Sequence, residues 1–99
     1  MWYCIYAKDS LNSFKKRQAK RPEHLKRLKL LQEEGRLLIA GPFPIIDTET
    51  PGSHGFSGSL IIAEFDTLTS AKKWADADPF FISGVYENLE VKPFKKTLP

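Results

Sequence analysis

Residues 2–7, "WYCIYA", and residues 60–65, "LIIAEF", constrain this chain more than anything else in it. In an extended strand successive side chains point to opposite faces. Trp2, Cys4 and Tyr6 therefore fall on one face of the first strand, and Tyr3 and Ile5 on the other. The second run is likewise apolar on both sides. Strands of this kind need cover above and below. The rest of the chain must supply two layers, or one layer and a partner.

There is not much chain left to do so. Ninety-nine residues, 41% hydrophobic and 27% charged, make a single domain over 1–99 with a modest core. Lys8-Asp9-Ser10 close the first strand, and Ser10 is a plausible helix cap. Residues 11–34 read as helix, interrupted at Pro22. A proline removes an interior hydrogen bond but is tolerated in a first turn, so two segments are expected, about 11–20 and 22–34, either bent or separately started. Gly35 suits the position just past the helix. Residues 36–41, "RLLIAG", form the second strand. Residues 42–57 hold three Pro and two Gly and read as a long loop. Residues 58–65 form the third strand. Thr67 or Thr69 caps a second helix, "SAKKWADAD", and Asp78-Pro79 ends it or starts a short turn. Residues 84–92 alternate as a fourth strand, with Val85, Leu89 and Val91 on one face and Tyr86, Asn88 and Glu90 on the other.

The order is β-α-β-β-α-β. It specifies an α+β, ferredoxin-like subunit: a four-stranded antiparallel sheet with both helices on one face. The second face of the sheet is then bare, and a second copy of the chain, sheet against sheet, is the simplest cover. A homodimer is expected.

Charge and composition exclude several classes. The N-terminal apolar run is too short for a signal sequence or a membrane span. The single cysteine, Cys4, rules out an internal disulfide and fits a reducing compartment, so a cytoplasmic location is expected. Cys4 itself reads as an inert small hydrophobe. The net charge is +3, and eight of the fifteen Lys and Arg residues lie between Lys15 and Lys29. No aromatic residues are interleaved with them as stacking platforms, so the run reads as a solvated helix face, and nucleic acid is not the expected partner. Two His and one Cys at scattered positions give no zinc spacing. "GSHGFSGS" lacks the Lys and the Gly spacing of a phosphate loop. No cofactor or metal is expected.

The helix over 11–34 carries the one anomaly. At about 100° per residue, Arg17, Arg21, His24, Leu28 and Leu31 share a stripe. Its C-terminal half is leucine, as a core face should be. Its N-terminal half is Arg, Arg, His. Such a helix packs at one end and lines something polar at the other. A second candidate is Asp78 in "WADADPFF". Asp before Pro is a favoured helix start in its own right, so a cap and a catalytic carboxylate are both open readings.

Four motifs settle which family the chain resembles. "RPEHL" (R-P-x-H-L), "GRLLIAGP" (G-R-L-x-x-A-G-P), "WADADP" (W-A-x-x-D-P) and "GVYENLEVKPF" (G-V-Y…V-K-P-F) resemble the YciI-like family in sequence and spacing, over nearly the whole chain. The resemblance implies a dimeric α+β barrel, a ferredoxin-like subunit paired through its sheet, related to muconolactone isomerases, chlorinated-lactone dehalogenases and monooxygenases. It implies an active site built on a His and an Asp, which fall on His24 and Asp78.

The residue types then point to general acid–base work, with Asp78 fixing the imidazole of His24. Arg21 and Arg17 would hold the carboxylate of a small anionic acid or lactone. The expected reaction is of isomerase or lyase/dehalogenase type. The rival expectations are a dimer that binds a small ligand without converting it, and a nucleic-acid or protein-interaction module using the basic helix.

Overall fold

The computed structural model describes residues 1–99. Strand β1 (Trp2–Asp9) leads into helix α1 (Phe14–Glu33) and strand β2 (Leu37–Pro44). A 3₁₀ turn at Gly52–His54 precedes strand β3 (Phe56–Glu64). Helices α2 (Leu68–Asp76) and α3 (Pro79–Ile82) and strand β4 (Tyr86–Phe94) complete the chain. The sheet order is β2-β3-β1-β4, all antiparallel. This is the ferredoxin-like arrangement.

Alternation in β1 sorts the two faces. Tyr3, Ile5, Ala7 and Asp9 are buried. Tyr3 and Ile5 pack with Ile61 and Ala63 of β3, Leu28 and Leu31 of α1, and Ala71 and Ala75 of α2. A smaller cluster of Ala7, Phe80, Val85 and Tyr86 continues the core toward the other end of the strand. On the opposite face the register lines up Cys4 with Ile62 and Tyr6 with Leu60, and the ring of Tyr6 lies 5.6 Å from that of Phe43. Much of this face stays open in the subunit: Tyr6 is 49% exposed and Ile39 56%, although Ile62 beside it is buried.

Several local expectations need correction. α1 is one continuous helix rather than two, with Pro22 inside it. Pro22 and Gln18, whose carbonyl loses its partner, are both exposed, so water can satisfy that carbonyl and the helix need not break. Ser13 stands at the N-cap position, and Ser10 instead donates to the Gly84 carbonyl at 2.8 Å. At the other end Gly35, at φ +72°, closes the helix: its N–H donates to Gln32 and that of Arg36 to Leu31, the double bond of a Schellman turn. β2 runs on through Pro42 and Pro44, which it can do because it is an edge strand. The loop is correspondingly shorter than expected. Thr67, not Thr69, caps α2, through a reciprocal pair with Ser70. Finally, a bulge between Lys8 and Asp9 sets Asp9 opposite Tyr86 and turns Tyr86 into the core, where simple alternation placed it outside.

Candidate active site

α1 crosses the sheet with its N-terminal half above the junction of β1, β3 and α3. Of its polar stripe, Arg17 and His24 are buried, at 7% and 6% exposure, and Arg21 is exposed. The two buried residues have different partners.

His24 meets Asp78. Its Nδ1 lies 2.9 Å from both carboxylate oxygens of Asp78. Asp78 also accepts the Phe80 backbone N–H at 2.9 Å, so it caps α3 with Pro79 in the first helical position. The same carboxylate therefore both caps α3 and pairs with His24. A carboxylate can only accept, so Nδ1 carries the hydrogen, and in the neutral ring Nε2 carries the lone pair. Nε2 makes no hydrogen bond within the chain and is not sealed off. Phe80 stacks on the ring, 4.0 Å between centroids at 15°, and Tyr86 meets it edge-on at 6.4 Å. The imidazole is thus clamped on one nitrogen and one face, with its basic nitrogen left free.

Arg17 meets Asp9. Its Nε donates to Asp9 Oδ2 at 2.8 Å and its Nη2 to Oδ1 at 3.4 Å. Nη2 also donates to the Gly58 carbonyl at 3.1 Å and to Ser59 Oγ at 2.6 Å. The planar group lies over Phe80, 4.7 Å from its centroid. The fork of Arg17 thus already grips Asp9, and Nη1 is the one nitrogen left without a partner in the chain. Arg21 is different. No carboxylate of the chain pairs with it.

Arg17, Arg21, His24 and Ser59 line one cleft of about 170 Å³, walled by Leu25, Leu28, Ile61 and Phe80 and closed on one side by Ala40 to Pro42 of β2. A larger groove of about 540 Å³ runs along the outside of α1, but a single helix lines it and it holds no His–carboxylate pair. No three His, Cys, Asp or Glu side chains gather as metal ligands. His54 is exposed and apart from the cleft.

Three residues near the site escaped the sequence reading. Asp9 shares the phase of Tyr3 and Ile5, so an acid on the core side of β1 was legible. Ser59 alternates with Ile61 on β3 and pairs opposite Ala7, a position that is polar but not conspicuous. Tyr86 was hidden by the bulge. Tyr86 is 3% exposed, and burial pushes its pKa above the ordinary value. The Ser59 hydroxyl, the next influence, draws it back a little, yet the Tyr86 oxygen has no hydrogen-bond partner. Gly58 matters too: a Cβ there would collide with the Ala7 carbonyl oxygen, so only glycine lets β3 close on β1 and offer its own carbonyl to Arg17.

Comparison with known proteins bears on the family and the fold. The model of the YCII-related domain matches residues 1–95. Protein YciI of Escherichia coli O6:H1 is 57% identical over 96 residues, covering 97% of this chain and 98% of that one. An uncharacterised protein of Haemophilus influenzae is 54% identical over the same span. Among solved structures, 5-chloro-2-hydroxyhydroquinone dehydrochlorinase (TftG) from Burkholderia phenoliruptrix AC1100, in complex with 2,5-dihydroxybenzoquinone, superimposes with a TM-score of 0.84. It is 26% identical and covers 96% of this chain and 94% of its own.

Proposed function

This chain belongs to the YCII-related family, and from that premise we propose that it is an enzyme performing general acid–base chemistry on a small anionic organic molecule. The observation that carries the reading is the Nδ1 bond of His24 to Asp78, with Nε2 unbonded beside the cleft. A base held in this way takes a proton from carbon or oxygen of a bound substrate. Asp78 stabilises the imidazolium that results, as the carboxylate of a hydrolase triad does. The electron pair left behind forms a new double bond. It either expels a leaving group such as chloride or is reprotonated elsewhere by His24, and the two outcomes are the lyase/dehalogenase and isomerase types. The TftG name and its quinone ligand support the first. Arg21, at the edge of the cleft, holds the negative charge of the substrate. The enzyme acts as a homodimer joined through the uncovered sheet face.

The test is turnover of chlorinated hydroxyquinols and of enol lactones, followed by chloride release and by absorbance. Wild type converts at least one of them, and His24→Ala slows it by about 10²–10⁴-fold, the usual worth of a positioned acid–base group. Binding without turnover would assign the cleft to ligand storage or sensing instead. Turnover indifferent to His24→Ala would remove the histidine from the chemistry.

A further inference from the structure

The hydroxyl of Ser59 is constrained more tightly than a serine usually is. Arginine has only donors to offer, so at 2.6 Å from Arg17 Nη2 the Ser59 oxygen must accept. Asp9 holds that guanidinium from behind through Nε, and the two hydrogens of Nη2 point to Ser59 and to the Gly58 carbonyl, with Asp9 Oδ1 at 3.4 Å only a weak third acceptor. The serine cannot turn round and donate to its neighbour. Its own proton has no acceptor at full hydrogen-bond distance within the chain: the Tyr86 oxygen is near enough for the Ser59 hydroxyl to lower its pKa, but is left without a formed bond. Ser59 is 3% exposed and stands on the wall of the cleft that holds His24. A buried donor with no acceptor is costly, and the arginine beside it polarises the hydroxyl and makes it a stronger donor.

We propose that Ser59 is a substrate-binding residue, whose hydroxyl donates to an anionic oxygen of a one-ring substrate lying between it and His24. The inference rests on the acid–base reading above and narrows its substrate class. The cleft has the room of about five or six water molecules, which admits one small ring and not two. Its walls are Leu25, Leu28, Ile61 and the face of Phe80, which suit a flat, largely apolar body. The remaining Arg17 nitrogen and Arg21 make the surroundings cationic. A ring carrying an enolate or phenolate oxygen toward Ser59 and a removable proton toward His24 meets every one of these groups. As the proton leaves, charge flows onto that oxygen, and the hydrogen bond from Ser59 strengthens.

The experiment compares 2,5-dihydroxybenzoquinone, anionic at neutral pH, with 2,5-dimethoxybenzoquinone, which has the same ring and no ionisable oxygen. Both are titrated into the full-length wild type, Ser59→Ala and Ser59→Cys, with melting temperatures recorded alongside. Wild type binds the dihydroxy compound more tightly. Ser59→Ala weakens that compound by about tenfold and leaves the ether within about twofold, so the preference collapses. Ser59→Cys, similar in shape but a weak donor, gives the same collapse and serves if the alanine variant does not fold. If both affinities fall in parallel, or neither changes, Ser59 is a packing residue and the proposal is overturned. His24→Ala separates the two readings: loss of turnover with the preference intact leaves both standing. Turnover lost with His24→Ala but a preference unmoved by Ser59→Ala sinks this one alone. If wild type binds neither quinone, this proposal falls, while turnover of another substrate would still uphold the acid–base reading.

Discussion

Asp78 does two jobs with one carboxylate, and the jobs can be pulled apart. Asn retains an oxygen to cap α3 but can turn an N–H₂ toward His24, which drives the ring hydrogen to Nε2. Asp78→Asn is therefore expected to keep its fold, with stability changed by about 1 kcal/mol or less. Nitrogen NMR of His24 is expected to show the Nδ1–H tautomer in wild type and a shift toward Nε2–H in the variant, with turnover falling in step. An unchanged tautomer would mean that Asp78 does not set it. Tyr86 gives a second prediction. Its folded-state pKa is raised, so the unfolded chain releases this proton first as pH rises. The contribution of the neutral phenol to stability is thus complete below about pH 10, the ordinary range for tyrosine, and is lost above it. Tyr86→Phe removes a buried hydroxyl that has no partner. It is expected to match or exceed wild-type stability at pH 7, by up to about 1 kcal/mol, and to lose less between pH 9 and pH 11 in urea titrations. Of the residues around the cleft, His24 and Asp78 were legible because their motifs are distinctive and their types are chemical. Asp9 was legible from phase alone. The commitment of Arg17 was not: Asp9 is near in sequence but on another element, and Gly58 and Ser59 come from a strand about forty residues on.

Between α1 and the sheet, the Asp9–Arg17 pair is the polar anchor of an otherwise apolar contact. Both side chains are nearly sealed, at 2% and 8% exposure. Removing one partner strands the other charge. Asp9→Ala is expected to destabilise the fold by about 3–5 kcal/mol in urea titrations, well beyond the cost of an exposed pair. A loss under 1 kcal/mol would show that water reaches Arg17 readily. Replacing both residues by apolar ones of similar size is expected to recover much of the loss, because no charge is then left buried. Element types and order followed from the sequence because alternation and helical spacing are strong in β1, α1 and β3. Boundaries did not. Pro22 argued for a break that solvent exposure made unnecessary, and the β4 bulge reversed the side on which Tyr86 falls. Neither exposure of a carbonyl nor a bulge is written in a single strand's pattern.

At the scale of the molecule, the two-faced strands and the element order were enough to derive the fold. They also left one sheet face bare, and that face is apolar at Tyr6, Ile39, Phe43, Leu60 and Ile62. No helix is long and apolar enough to cross a membrane. Wild type is expected to sediment as a dimer at micromolar concentration, and a Tyr6→Lys, Ile39→Lys double variant as a monomer. A wild-type monomer would leave this face to some other partner. The sheet order carries a last consequence. β1 is central, yet both strands that pair with it, β3 and β4, lie beyond residue 55, and β2 does not touch it. On the ribosome, more than half of the chain must emerge before the first strand finds any hydrogen-bonding neighbour. Until then "WYCIYA" is an unpaired, sticky segment, the kind of interval in which nascent chains aggregate or recruit chaperones. The site waits longer still, since His24 has no carboxylate until residue 78 is made.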